Sequence, residues 1–185
     1  MTDIIRVVGI SGSLRKGSYN TATLHAAQEL APPDLQLEIG DISQFPLYNA
    51  DTQAQAFPDA VQRVGEQIRA ADGLLLVTPE YNYSVSGVMK NAIDWISRLK
   101  NQPFAGKPVA LCGASMGALG TARAQYHLRQ IGVYLDMRFL NKPEVMIGSA
   151  HERFDANGKL THEVTRKFVG ELMVALRDAA RRAKA

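Results

Sequence analysis

Short apolar runs alternate with amphipathic stretches along most of the chain. Ile4-Ile5-Arg6-Val7-Val8-Gly9-Ile10 is brief and β-branched, which predicts a buried strand. Thr21–Leu30 has helical spacing and is closed by Ala31-Pro32-Pro33. Leu35–Ile39 alternates apolar and polar positions, the period of a second strand. Residues 42–56 are loop-like, and Ala60–Ala71 places Val61, Val64 and Ile68 on one helical face. Gly73–Thr78 is a near-continuous apolar run, the mark of a strand covered on both faces. Ser86–Leu99 is helical, and Val109–Cys112 is a further buried strand that leads into the small-residue run 113–120. Thr121–Ile131 is helical, Val133–Leu135 and Val145–Ile147 are short strand candidates, and Thr161–Ala183 is a closing amphipathic helix.

This alternation predicts an α/β fold: a doubly wound parallel sheet with helices on both faces. Ligands in such sheets bind outside the C-terminal strand ends, where the strand order reverses. The loops 11–20, 79–84 and 113–120 fall at predicted strand C-termini, and all three carry unusual chemistry.

Length and composition fit one ordinary globular domain spanning residues 1–185, with 46% hydrophobic and 21% charged residues. The net charge of +3 suits anionic small molecules and does not argue for nucleic acid. Arg177, Arg181, Arg182 and Lys184 read as a solvated helix end that complements the dipole. Lone Cys112 excludes an intramolecular disulfide; with no signal peptide and no long apolar span, a cytoplasmic protein without membrane attachment is expected. His25, His127, His151 and His162 lack metal-ligand spacing, so no metal is expected.

The loop Gly9-Ile10-Ser11-Gly12-Ser13-Leu14-Arg15-Lys16-Gly17-Ser18-Tyr19-Asn20 is built to hold an anion. Glycines permit sharp turns, and the N–H groups and dipole of the following helix favour negative charge. Ser11, Ser13, Ser18 and Asn20 add neutral donors, and Arg15 and Lys16 add charge. A P-loop is excluded because Ser18 occupies the lysine position after Gly12 and Gly17. A Rossmann fingerprint read from Gly12 also fails on spacing. A cysteine phosphatase is excluded because the first arginine after Cys112 is Arg123. A terminal monophosphate remains. Thr78-Pro79-Glu80-Tyr81-Asn82-Tyr83-Ser84 offers a rigid backbone and two aromatic rings, a surface suited to a planar heterocycle. Flavin mononucleotide (FMN) joins one phosphate to one such ring.

These segments resemble the NADPH-dependent FMN reductase family. Residues 12–20 resemble its phosphate loop. Residues 78–84, with Gly87 and Lys90-Asn91-Ala92-Ile93-Asp94-Trp95, resemble its ring-binding loop and the helix that follows. Ser115-Met116-Gly117 through Gly120 and Arg123–Arg129 resemble its third segment. Within the family the likeness is to bacterial chromate and quinone reductases. The resemblance implies a flavodoxin-like, five-stranded parallel sheet and bound FMN. It implies cofactor contacts from Ser13, Leu14, Arg15, Gly17, Ser18 and Asn20 at the phosphate, and from Pro79, Glu80, Tyr81, Asn82, Tyr83 and Ser115 at the ring. It also implies a homodimer or homotetramer with each flavin near a subunit boundary.

The expected activity is a ping-pong cycle at FMN N5, with NADPH or NADH as the donor. The expected acceptor is a quinone, chromate, an azo compound or a ferric species; no protein acid or base is required. A flavodoxin-type electron carrier and a non-catalytic nucleotide-binding domain are the rival readings. The net positive charge disfavours the carrier. Lys90, Asn91 and Asp94 fit a solvated helix face as well as a supporting role. Trp95 reads as core or interface packing, and Arg123, Tyr126 and Glu144 as a candidate interface network.

Overall fold

The computed structural model describes residues 3–184. β1 (Ile5–Ser11), β2 (Leu35–Ile39) and β3 (Gly73–Val77) form where the short apolar runs lie. β4 (Glu80–Tyr81) and β5 (Ser84–Val85) make a small separate hairpin, and β6 (Pro108–Ala114), β7 (Arg138–Phe139) and β8 (Val145–Ile147) return to the main sheet. The helices are α1 (Tyr19–Glu29), α2 (Ala50–Gln55), α3 (Asp59–Ala70), α4 (Gly87–Ile96), α5 (Ala122–Tyr134) and α6 (Glu163–Lys184).

The main sheet is parallel, ordered β2-β1-β3-β6, and its last position is shared by β7 and β8. β7 pairs with Pro108 and Val109 at the start of β6, and β8 pairs with Cys112–Ala114 at its end. The five expected positions are therefore present, and the fifth is a broken strand. The order reverses between β1 and β3, which sets Ser11 beside Val77. Their two outgoing loops leave the sheet side by side, as the switch-point rule requires.

Pleating divides each strand between two cores. Val7, Leu75, Val77, Ala110 and Cys112 pack with Leu24, Ala27, Val169, Leu172 and Leu176 of α1 and α6. Val8, Ile10, Leu74, Leu76 and Leu111 pack with Val64, Ile68, Met89, Trp95 and Leu128 of α3, α4 and α5. Burial on both faces is why the central strands read as continuous apolar runs. Cys112 is fully buried in the first core, and desolvation pushes its thiol up to about 12. It stays protonated and inert at neutral pH.

Three local expectations need correction. The stretch 42–56 is not all loop: Ala50–Gln55 forms α2, capped by the Asn49 side chain. Val133–Leu135 is not a strand. The backbone of α5 runs to Tyr134, and the returning strand starts at Arg138. Val133 and Tyr134 project into solvent at 81% and 87% exposure, so their β propensity has no sheet to join. The basic end of α6 is not simply solvated either. Arg177 and Arg181 pair with Asp34, and Lys184 bridges Asp3 and Asp72. These ion pairs fasten the last helix to the sheet's N-terminal edge.

Asp34 gives this fastening a pH dependence. Burial alone pushes its carboxyl up, but hydrogen bonds from Arg177 and Arg181 outweigh it and hold the group below the ordinary 3.8. A depressed folded value stabilises above 3.8, and the benefit is lost as pH falls through the folded value. Asp34→Asn should lower the Tm at pH 7, and its deficit against the parent should shrink below the ordinary value of 3.8. A deficit that stays constant in thermal melts down to pH 3 would dismiss the ion pair as its cause.

Candidate functional site

The first wall of the site is the turn between β1 and α1. Gly12 N–H bonds the Val77 carbonyl at 2.8 Å, and Ser86 Oγ donates to the Gly12 carbonyl at 2.7 Å. The loop is thereby tied to β3 and to the start of α4. Gly17 sits at φ +66°, a left-handed conformation that closes the turn ahead of the helix. Ser18 is the N-cap: its Oγ accepts from the N–H groups of Asn20 and Thr21 at 3.2 and 3.4 Å. Ser13 and Ser18 are buried, whereas Leu14, Arg15, Lys16 and Gly17 are exposed. The first turn of α1 carries no acidic side chain, so nothing opposes an anion at its N-terminus.

Two residues of this loop hold particular posts. Asn20 is buried; its amide donates to the Ala114 carbonyl at 3.0 Å and accepts from the Ala114 N–H at 2.9 Å. It staples α1 to the end of β6, leaving one amide N–H for any other partner. Arg15 donates to the Gly17 carbonyl at 2.9 Å and lies over the Tyr19 ring, 5.7 Å from its centroid.

The second wall is the β4–β5 hairpin. Pro79 is buried, while Tyr81, Asn82 and Tyr83 are exposed. Asn82 and Tyr83 occupy the tip at φ 49° and 67°, the left-handed pair that a two-residue hairpin turn demands. Glycine would take the second position at little cost, but tyrosine there is strained by about 1–3 kcal/mol. The strain is held by α5. The Arg123 guanidinium stacks 3.6 Å from the centroid of the Tyr83 ring. Glu80 pairs with that guanidinium and also accepts from the N–H groups of Arg123 and Ala124 at 2.9 and 3.1 Å. Its carboxylate caps the N-terminus of α5, and hydrogen bonding to it holds Arg123 above the ordinary arginine range. Ser84 Oγ and His127 Nδ1 lie 2.8 Å apart and fix the hairpin's second strand.

Glu80 is thus a brace: its carboxylate is committed to α5. The Glu80–Arg123–Tyr83 clamp is absent from the sequence reading. Glu80 and Arg123 lie 43 residues apart, and no local spacing connects Arg123 to the hairpin.

The third wall is the turn after β6. Ser115 N–H bonds the Ile147 carbonyl at 2.9 Å, and Ser115 Oγ accepts from the Gly117 N–H at 3.2 Å. Met116 and Leu119 are exposed beside it. All three walls meet through Gly12, Asn20 and Ala114.

The remaining candidates separate into distinct roles. Trp95 is fully buried core, and its Nε1 donates to the Pro46 carbonyl at 2.8 Å. Asn91 donates to that carbonyl and accepts from the Tyr48 N–H, both at 2.8 Å, so it supports the segment after β2. Lys90 and Asp94 form a surface ion pair. Arg123, Tyr126 and Glu144 do not form one network within the chain: Arg123 goes to Glu80, and Tyr126 donates to Glu144 at 2.9 Å. Among the described residues, no cluster of histidine, cysteine or carboxylate side chains has the makings of a metal site.

The donor set fits FMN. Buried hydroxyls at the positive end of a helix stand at one end for a phosphate, and exposed tyrosines on a braced hairpin stand at the other for a ring. Residues 5–152 match the family model described as NADPH-dependent FMN reductase. The chain is 59% identical over 182 residues to an NAD(P)H-dependent FMN reductase of Pseudomonas aeruginosa, covering 98% of each chain. It is 50% identical over 157 residues to a quinone reductase of Escherichia coli, covering 84% of each. The solved structure of FerB, a flavoenzyme NAD(P)H:(acceptor) oxidoreductase from Paracoccus denitrificans, superposes with TM-score 0.87 at 36% identity, covering 97% of this chain and 99% of that one. Fold, site geometry and these likenesses agree, and the chain belongs to the NADPH-dependent FMN reductase family.

Proposed function

We propose that this protein is an FMN-dependent oxidoreductase that draws reducing equivalents from NAD(P)H and delivers them to a quinone. The observation that carries this reading is the meeting of an anion-binding turn and a braced aromatic hairpin at the sheet's switch point. When bound, FMN supplies the redox chemistry, accepting hydride equivalents from the nicotinamide and releasing them to the acceptor. The protein's share is position and access. Ser13, Leu14, Arg15, Gly17, Ser18 and Asn20 seat the phosphate. The backbone of Pro79, Glu80, Tyr81, Asn82 and Tyr83 meets the ring edge, with Ser115 opposite. Tyr81, Tyr83, Met116 and Leu119 leave an apolar, solvent-facing rim onto which a flat acceptor can stack. Chromate, azo compounds and ferric species are further acceptors for such an open rim.

The enzyme works in the cytoplasm as one FMN-binding domain and as a homo-oligomer. Leu47, Tyr126, Val133 and Tyr134 are large apolar side chains left in solvent on the monomer, and they support that association.

Purified protein should carry a yellow chromophore that anaerobic NADPH bleaches, and it should oxidise NADPH continuously when a benzoquinone is supplied. A colourless protein that takes up no added FMN would overturn the reading. Bleaching without steady-state turnover would favour the electron carrier.

A further inference from the structure

A groove of about 740 Å³ lies on the outer flank of the turn between β1 and α1, between α1 and the turn 155–160. Its volume lies in the range of small-molecule sites. We propose that it binds the adenosine 2′-phosphate end of NADPH, and so sets coenzyme preference. This rests on the reading of the chain as an NAD(P)H-dependent enzyme.

The charge of the groove is positive. Arg15, Lys16 and Lys159 line it, while Glu29 and Asp155 are its carboxylates. Glu29 is already paired with Arg166 at 2.7 Å, and that hydrogen bond holds its carboxyl below the ordinary carboxylate range. Asp155 accepts from the N–H groups of Asn157 and Lys159, each at 2.9 Å. It builds the turn that presents Lys159 and offsets only one of the three cations. A phosphate dianion is a fitting counter-charge for what is left.

The walls suit a nucleoside. The Tyr19 ring packs on Phe154, with centroids 5.2 Å apart, and the Arg15 guanidinium lies 5.7 Å from its centroid. Arg15 is tethered there by its bond to the Gly17 carbonyl, and a guanidinium is a planar group on which a purine can stack. His25 adds an exposed ring.

Position completes the case. Arg15, Gly17 and Ser18 belong both to the proposed FMN phosphate seat and to the groove, and Lys16 to the groove alone. The buried hydroxyls of Ser13 and Ser18 serve the seat, and the exposed lysines serve the flank. A dinucleotide whose nicotinamide lies over the flavin can run past this turn and leave its far phosphate between Lys16 and Lys159.

Lys159→Glu tests the assignment on a side chain that the flavin seat does not use. Adenosine 2′,5′-bisphosphate titrated into the FMN-loaded protein by calorimetry should bind about ten-fold more tightly than 5′-AMP, and the substitution should erase that difference. In turnover, the KM for NADPH should rise about ten-fold, while flavin content and the KM for NADH stay within about two-fold. Lys159→Ala should give a smaller change in the same direction. Equal binding of the two nucleotides would overturn the proposal, as would competition by inorganic phosphate at the same concentration. Equal changes in both KM values, or none, would do so too. Failure of the oxidoreductase reading would show separately, as absent flavin, and the nucleotide titration would still report on the groove.

Discussion

Ser18→Asp should yield a folded protein that has lost its flavin. Ser18 caps α1 through its Oγ, and aspartate is an equally good cap, so the helix and the turn are expected to persist. The new carboxylate, however, stands at the helix N-terminus where the phosphate is proposed to sit. Like charges about 5 Å apart at an effective dielectric constant of about 20 repel by roughly 3 kcal/mol per unit charge. FMN affinity should fall at least about a hundred-fold. The ratio of flavin to protein absorbance after dialysis, followed by titration with added FMN, reads this directly. Ser18→Ala makes the contrast. It loses the cap, at about 1 kcal/mol of stability, but introduces no charge and should keep most of its flavin. If Ser18→Asp retains wild-type affinity while its thermal melt is unchanged, the phosphate is seated elsewhere.

That substitution is informative because the turn was the most legible part of the site. The composition of Ser11 through Asn20 predicts a tight strand-to-helix turn, and the structure places that turn between β1 and α1. The doubly wound sheet was legible for a similar reason. Strands buried on both faces are continuous apolar runs, and the helices between them keep a regular period. Legibility failed where structure depends on distant partners. Asn20 reads as a neutral donor in the turn, and nothing near it in sequence shows that its amide also pairs with Ala114 of β6. Glu80 was read as part of a ring-binding loop, whereas its carboxylate is committed to α5. Nothing near Glu80 in sequence signals that Arg123 will arrive. Val133–Leu135 carries strand-forming residues, yet it continues a helix because the sheet edge is not reached until Arg138. Arg177, Arg181 and Lys184 were read as solvated because their carboxylate partners lie at the far end of the chain, at Asp3, Asp34 and Asp72.

Gly113→Ala should disable the protein more broadly than any change to a ligand-facing residue. Gly113 lies on β6 beside Met146, one residue before the Asn20 staple at Ala114. A Cβ there would overlap the Thr78 carbonyl oxygen and Thr121 Oγ1, and it would stand 3.1 Å from Thr121 Cβ. None of these can step aside cheaply. Thr78 is fully buried, and its N–H bonds the Cys112 carbonyl at 3.0 Å. Thr121 is fully buried at the start of α5, with its Oγ1 accepting from Gln125 at 3.0 Å. Relief of the overlap must push Thr78 and Thr121 away from β6. Thr78 leads into the hairpin and Thr121 into the helix that braces it, so the Glu80–Arg123 clamp would shift with them. Overpacking of this kind costs about 3 kcal/mol, and rigid backbone on one side places the effect at the upper end. The expected result is a clearly lower urea midpoint together with weaker FMN retention in whatever folds. Gly87→Ala supplies the comparison, because a Cβ at that helix start meets nothing within 4 Å. It should leave the midpoint unchanged or raise it by up to about 1 kcal/mol of stability. An unchanged midpoint for Gly113→Ala would mean that the strand and the two elements it spaces can part freely, and the rigidity assigned to the three-walled site would be lost with it.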